Sequence, residues 1–215
     1  MHIILFTFGT FIFFSFEYYN PGTLGRFNLC DKFLISAFHS VSARTSGFAS
    51  VNLIHLTDMT KLVMTLLMLI GAGSGSMAGG IKTTTLFVVL VGVYSNIIGR
   101  KNINIFKKTI PNETFMKAVS VIIIAVIILI LSNLFFIANS NIKTLDLLFE
   151  SVSAFATVGL TSGALAQMNW ICRGVLILLM YIGRIGTMTM AVAFVVKKPK
   201  ENDLIVYSKE EIIVG

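Results

Sequence analysis

The chain has 215 residues, of which 55% are apolar and 13% charged, and its formal net charge is +7. Soluble domains are about 45–50% apolar and about 25% charged, so this composition excludes an ordinary soluble protein and indicates a membrane protein. The basic side chains lie between long uncharged runs, a distribution that sets membrane orientation and argues against nucleic acid as a partner.

Three apolar runs predict transmembrane helices, because about 20 apolar residues are needed to cross a hydrocarbon core of about 30 Å. They cover residues 1–16, 118–138 and 174–196. The first run resembles the core of a signal peptide, but it has no basic segment before it and no small-residue cleavage site after it. We therefore predict a spanning helix there as well.

A fourth apolar run, residues 61–99, is too long for one crossing, because a single helix of that length would extend roughly 58 Å. Its centre is rich in glycine, and each glycine costs about 1 kcal/mol of helix stability relative to alanine. We predict two half-helices around a loop that lines a cavity, since non-helical backbone at membrane depth needs protein or water to satisfy it. The candidate gate residues of this loop are Gly71, Gly73, Ser74, Gly75, Ser76, Gly79 and Gly80.

A Thr-x-Gly motif occurs twice, each time after a short amphipathic segment. These segments, residues 33–43 and 144–155, are too short to cross a bilayer and are predicted to be re-entrant pore helices. A second glycine, Gly71 or Gly183, follows the motif glycine by 24 residues in both copies. The sequence thus predicts two copies of one unit, in the order span, pore helix with turn, span. The turns contain Thr45, Ser46 and Gly47 in the first copy and Thr157, Val158 and Gly159 in the second.

Such turns are suited to binding a dehydrated cation through backbone carbonyls. Glycine can adopt positive φ, which allows successive carbonyls to face one axis, and the negative C-terminal end of each preceding helix favours cations over anions. A single Thr-x-Gly turn is more typical of a simple helix C-cap. Because the turn recurs at matched spacing after matched helices, we predict that both turns belong to an ion-selectivity filter.

Arg184 interrupts the last apolar run, where a charged side chain costs roughly 2.5–3.5 kcal/mol. It must therefore face protein or water. Two interpretations stay open: an electrostatic barrier beside a cation pathway, or a structural salt bridge with Glu150 as the candidate partner. Lys82, directly after the glycine-rich loop, poses the same question, and there a structural role is favoured.

Two enzyme classes are rejected, and no enzymatic activity is predicted. Residues 75–83 approach a phosphate-binding loop pattern, but Ile81 separates the last glycine from Lys82 and the context is an intramembrane segment without strands. Ser74 and Ser76 are predicted in the lower half of the membrane, away from the histidines that could activate a serine nucleophile.

The predicted fold class is an all-α, multi-pass membrane protein. Its first unit covers residues 1–99, a cytoplasmic linker residues 100–114, the second unit residues 115–198 and a cytoplasmic tail residues 199–215. Nine Lys and Arg residues fall in the segments assigned as cytoplasmic and five in the outer segments, which supports this orientation. Both turns then enter from the outer side.

These motifs resemble the membrane subunit of the Trk/Ktr potassium uptake family over nearly the whole chain. The most specific signals are the glycine-rich loop and the Ile-Gly-Arg-Ile-Gly sequence around Arg184. The resemblance implies a potassium pore of four units with one filter glycine each, of which Gly47 and Gly159 correspond to the third and fourth. It further implies K⁺ as the substrate, no covalent cofactor and no other metal, with Na⁺ as a candidate coupling or regulatory ion.

The resemblance also implies a plasma membrane location and protein partners. The expected partners are a cytosolic nucleotide-binding regulatory subunit and a second pore subunit in a homodimer. Because the chain has only two units, either a missing N-terminal half or a second copy of the chain must complete the four. The alternative is a non-conducting membrane fragment or scaffold that only associates with a partner chain.

Overall fold

The computed structural model describes residues 1–73, 76, 78–99, 103–105 and 108–185. This part of the chain is mostly helical, which confirms the predicted class at that level. Its α-helices are α1 (His2–Glu17), α2 (Leu29–Ser42), α3 (Asp58–Leu69), α4 (Thr83–Ile97), α5 (Asn112–Asn139), α6 (Thr144–Phe155), α7 (Ala164–Gln167) and α8 (Trp170–Ile185).

Helix α5 has the length and composition of a membrane span. It has 28 residues and a mean hydropathy of 3.1 in its most apolar window, and α1 and α4 are shorter apolar helices. Large apolar side chains such as Ile123, Ile127 and Leu131 are exposed along α5. An apolar exterior is what a bilayer requires of the helix surface that faces lipid.

The long apolar run is divided, in agreement with the predicted break. Helix α3 ends at Leu69 and α4 begins at Thr83. The ends of the intervening segment are joined, because the Gly71 N–H donates to the Ile81 carbonyl at 2.9 Å and the Ile81 N–H donates to the Leu69 carbonyl at 3.1 Å. Residues 71–80 are here called the glycine-serine loop. These two hydrogen bonds hold the beginning and the end of the loop next to each other.

Several predicted boundaries differ from those observed. Helix α2 begins four residues earlier than predicted, at Leu29, with Asn28 extended before it and Asp31 in its first turn. Helix α8 also begins four residues earlier, at Trp170. Helix α6 has the predicted limits. The predicted span beyond residue 185 and the predicted tail, residues 199–215, lie outside the described residues.

Two short paired strands lie within the segment that was predicted to be a cytoplasmic linker of an all-α protein. Strand β1 (Ile103–Ile105) pairs antiparallel with β2 (Lys108–Ile110), and α5 begins at Asn112, inside the predicted linker. The sequence carries a weak signal for these strands, since isoleucine and threonine favour extended backbone. The predicted all-α fold class did not include these two strands.

The core of the molecule surrounds α6. This helix packs against α3, α5 and α8, and every residue from Phe149 to Phe155 is buried. Helix α2 packs mainly on α1 and exposes Phe33, Leu34 and Phe38. An ion pair of 2.7 Å between Lys61 on α3 and Asp146 on α6 links the two halves of the chain.

Candidate ion-binding site

The two Thr-x-Gly turns, residues 45–47 and 157–159, have the same backbone pattern. Thr45 and Gly47 have φ angles of +77° and +72°, and Thr157 and Gly159 have φ angles of +54° and +91°, while the middle residues have negative φ. Alternating φ signs allow successive carbonyls to point to one side, whereas they point to opposite sides in a strand. A threonine in the left-handed region costs about 1–3 kcal/mol, and such strain is concentrated at functional sites.

The two turns lie side by side. A Cβ atom placed on Gly47 would overlap the carbonyl oxygen of Val158 and would lie 3.7 Å from the Cα of Gly159. No side chain therefore fits at Gly47, and its hydrogen permits the close approach. The predicted filter residues of the two copies are thus brought together, although they are more than 100 positions apart in sequence.

Each short helix ends directly before a turn. Helix α2 ends at Ser42 and α6 ends at Phe155, and both are followed by an alanine that continues the hydrogen bonding. The carbonyl end of a helix carries about half a negative charge. Both helices therefore contribute negative potential at the turns, as predicted for a cation site.

Glu150 is a structural carboxylate that supports the second turn. It is 5% exposed, and its Oε1 accepts hydrogen bonds from the Thr161 hydroxyl at 2.6 Å and the Ser162 N–H at 2.9 Å. The structure contains no ion pair between Glu150 and Arg184, both of which are described, so the alternative of a salt bridge between them is wrong. The bonds to Thr161 and Ser162 satisfy the buried charge without a cation.

Arg184 lies near the second turn. Its side chain is exposed and helps to line a cavity of about 430 Å³, together with Thr157 and Gly159. The cavity is otherwise mostly apolar, with Leu176 and Met180 of α8 on its wall. A fixed positive charge therefore faces the same space as one of the two turns.

The glycine-serine loop packs directly against the second turn. The Gly79 N–H donates to the Thr157 hydroxyl at 3.0 Å, and a Cβ on Gly80, where φ is +74°, would lie 3.1 Å from the Ala156 Cβ. Lys82 closes the loop, since its Nζ donates to the carbonyls of Ser76 at 2.7 Å and Ala78 at 2.6 Å.

Of the predicted gate residues, the structure places Gly79 and Gly80 against the turn and Gly71 at the base of the loop. Among the described residues, no hydrogen bond joins Gly73 to either turn. Its carbonyl accepts the Ser76 N–H at 3.0 Å. Ser74 and Gly75 lie outside the described residues. The bond to Thr157 and the closure by Lys82 had no signal in the sequence pattern.

The apolar helices, the apolar run that breaks between α3 and α4 and the two turns in contact are features of an integral membrane protein. Residues 1–204 match the family model TrkH, which is described as a cation transport protein. The chain belongs to this family.

Curated relatives match nearly all of the chain. It is 36% identical over 207 residues to the Ktr system potassium uptake protein B of Vibrio alginolyticus and 37% identical over 202 residues to the protein of the same name from Bacillus subtilis (strain 168). These alignments cover 96% and 94% of this chain but 45% of each relative. The chain thus spans slightly less than half the length of these relatives.

A solved structure supports the fold. The crystal structure of the potassium transporter TrkH from Vibrio parahaemolyticus superposes with a TM-score of 0.71 at 16% identity, over 91% of this chain and 42% of that one.

Proposed function

We propose that this chain supplies two of the units that line a potassium-selective uptake pathway through the plasma membrane. One observation carries the proposal: two turns with the same alternation of φ sign lie in contact, with Gly47 against the Val158 carbonyl. Carbonyls arranged in this way can replace the water shell of a dehydrated K⁺ without a buried full charge. The names of the relatives, potassium uptake proteins, support the choice of ion.

The lack of hydrogen bonds to the turn carbonyls in the described part of the chain also supports the proposal that these carbonyls bind K⁺. Among the described residues, no hydrogen bond is formed to the carbonyl oxygens of residues 45–47 or 157–159. Carbonyls near the ends of the preceding helices are used, since the Ser42 carbonyl accepts the Ser46 N–H at 3.1 Å and the Ser153 carbonyl accepts the Val158 N–H at 2.9 Å. The turn carbonyls are therefore not occupied by hydrogen bonds within the described residues, as the proposal requires of ion ligands.

In this proposal the glycine-serine loop is the gate. It packs against the second turn through Gly79, and its two ends are hydrogen-bonded to each other. Opening requires Lys82 to release the carbonyls of Ser76 and Ala78 and requires Gly79 to release Thr157. Polar contacts with exposed alternatives in water can exchange in this way at small net cost.

Arg184 acts as an electrostatic barrier in this scheme. Its charge faces the cavity that Thr157 and Gly159 also line, so it raises the free energy of a cation there. Weaker binding shortens the residence of the ion, and conduction requires that a bound ion can leave. Because Arg184 forms no ion pair with Glu150, both being described residues, the interpretation of Arg184 as an electrostatic barrier is favoured over that of a salt bridge to Glu150.

The chain needs further units to enclose an ion. We expect either an N-terminal half or a second copy of the chain to complete four units, with a homodimer as the larger assembly. A cytosolic nucleotide-binding regulatory subunit and a coupling or regulatory role for Na⁺ stay predictions from the family resemblance.

The proposal is tested in a bacterium that lacks its own potassium uptake, carrying the chain alone or together with its N-terminal half. We expect growth at low K⁺ and uptake of Rb⁺ once four units are present. Gly159→Ser should lose Rb⁺ uptake or its discrimination against Na⁺, because a side chain is strained at φ +91° even where space is open. Unchanged uptake and discrimination at wild-type protein level would contradict the filter assignment.

A second candidate is a membrane scaffold that binds a partner chain without conducting. The chain spans 45% of the length of these relatives, so it holds two of the four units that the family resemblance implies. A scaffold should form a stable complex that survives Gly159→Ser and should give no flux in liposomes with any partner. Rb⁺ flux from the reconstituted complex would reject it.

A further inference from the structure

One serine near the end of each short helix makes the same side-chain hydrogen bond. The Ser42 hydroxyl of α2 donates to the Phe48 carbonyl, and the Ser153 hydroxyl of α6 donates to the Leu160 carbonyl at 2.6 Å. Phe48 directly follows Gly47, and Leu160 directly follows Gly159. In both units the serine therefore holds the first carbonyl beyond the turn glycine.

The main chain of the same serine holds the turn at a second point. The Ser42 carbonyl accepts the N–H of Ser46, and the Ser153 carbonyl accepts the N–H of Val158. Ser46 and Val158 are the middle residues of the two turns. Each serine thus fixes the middle of its turn through the backbone and the end of its turn through the hydroxyl.

The arrangement is independent of the side chains around it. Phe48 is 69% exposed and Leu160 is 3% exposed, so packing differs strongly at the two acceptor residues. The donor and acceptor are six residues apart in the first unit and seven apart in the second. The bond is kept in spite of this shift, which indicates that the turn itself requires it.

We propose that Ser42 and Ser153 are positioning residues that determine the ion selectivity of the two turns. This inference rests on the proposed function. The hydroxyl binds the carbonyl after the glycine and so directs it away from the ion, while the carbonyls within the turn stay free. Selectivity for K⁺ over Na⁺ depends on carbonyls held in a fixed arrangement, whether cavity size or ligand number is the decisive quantity.

Both serines are buried, with exposures of 2% and 3%, and in the second unit the acceptor residue Leu160 is buried as well, so water cannot replace the lost hydroxyl there. Removal of the hydroxyl leaves the carbonyl of Phe48 or Leu160 without its described donor. Such a carbonyl either stays unsatisfied or rotates toward another partner, and rotation changes the adjoining glycine. The turn then loses its preference for the larger ion.

The test compares uptake of Rb⁺ and Na⁺ by Ser42→Ala and Ser153→Ala in the complemented, uptake-deficient bacterium. We expect the ratio of Rb⁺ to Na⁺ uptake to fall about tenfold in each, the effect of one buried hydrogen bond. Ser42→Thr and Ser153→Thr keep the hydroxyl and should retain the ratio. Ser36→Ala is the control, because Ser36 is equally buried in α2 but donates at 2.7 Å within its own helix, to the Lys32 carbonyl.

Retention of the wild-type ratio in both alanine variants would overturn the inference. If Gly159→Ser loses selectivity while both alanine variants keep it, the proposed function stands and the positioning role is wrong. If the complemented wild type takes up no Rb⁺, the proposed function fails and this inference fails with it. Should Ser153→Ala not accumulate in the membrane, Ser42→Ala decides, since Ser42 lies in the less buried helix.

Discussion

The backbone N–H of Gly79 donates a hydrogen bond of 3.0 Å to the hydroxyl of Thr157. This bond links the glycine-serine loop to the second turn. No such bond to Thr45 is formed by the described residues of the loop, so the two turns differ in this respect. In the proposed gate, the closed loop occupies one lone pair of the Thr157 oxygen, and opening would make that lone pair available to an ion.

The first prediction follows from this asymmetry. Thr157→Val removes the acceptor while keeping the shape of the side chain, so it should weaken loop closure and increase Rb⁺ flux through the complemented transporter. Thr157→Ser keeps the acceptor and should behave like the wild type. Loop closure is measured by the rate of thiol labelling of a cysteine introduced by Ala78→Cys into each variant. Thr45→Val is the comparison in the other turn and should leave this rate unchanged. Equal labelling rates in Thr157→Val and wild type would contradict the link.

The second prediction concerns Lys82, whose ammonium group donates to two loop carbonyls. Lys82→Met keeps the apolar stem and removes both donors, so the loop should open more often. We expect Rb⁺ flux to rise about tenfold and labelling of Ala78→Cys to accelerate, because the two contacts compete with water and a net loss of about 1.4 kcal/mol corresponds to a factor of ten. Lys117→Met, at an exposed position of α5, is the control and should change neither quantity. A lower flux with unchanged labelling would mean that Lys82 supports the fold and not the gate.

The third prediction tests the charge of Arg184. Arg184→Gln removes a cation from the cavity beside Gly159, so the apparent KM for Rb⁺ should fall roughly fivefold, an effect of about 1 kcal/mol. Arg173→Gln is the matched control on the same helix, where the guanidinium donates to the Ala166 carbonyl at 3.1 Å. A KM that rises in Arg184→Gln would contradict the barrier and indicate a role in holding the fold.

Local patterns were sufficient to predict the parts of the fold that depend on neighbouring residues. Glycine content predicted the break between α3 and α4, and the repeated Thr-x-Gly motif located both turns. The limits of α6 were also predicted, because its apolar face and the motif after it define both ends.

Contacts between distant residues were not predicted. The carboxylate of Glu17 is fully buried and accepts bonds from the N–H and hydroxyl of Thr57 at 2.9 and 2.8 Å, across 40 positions. Lys61, the first residue of the fourth apolar run, is buried against Asp146. Hydrophobic periodicity reports which face of a helix is buried, but it does not report which polar group the face meets.

The fourth prediction compares two glycines of α8. A Cβ on Gly183 would overlap the carbonyl oxygen of Phe155, the last residue of α6, whereas a Cβ on Gly174 would meet nothing within 4 Å. Gly183→Ala should therefore lower the free energy of unfolding by about 3 kcal/mol through overpacking. Gly174→Ala should raise it by about 0.5–1 kcal/mol, because alanine is the better helix former. Thermal unfolding in detergent measures both, and equal shifts would contradict the close packing of α8 on α6.

The fifth prediction concerns the ion pair of Lys61 and Asp146, whose side chains are 8% and 19% exposed. Lys61→Met leaves the carboxylate unpaired, and Asp146→Leu leaves the ammonium unpaired, so each should lower the free energy of unfolding by about 3–5 kcal/mol. The double variant removes both desolvated charges and should recover most of that loss, because apolar replacements of buried pairs are often neutral. Additive losses in a double-mutant cycle would mean that the two residues act separately and that α3 and α6 are held together by apolar packing alone.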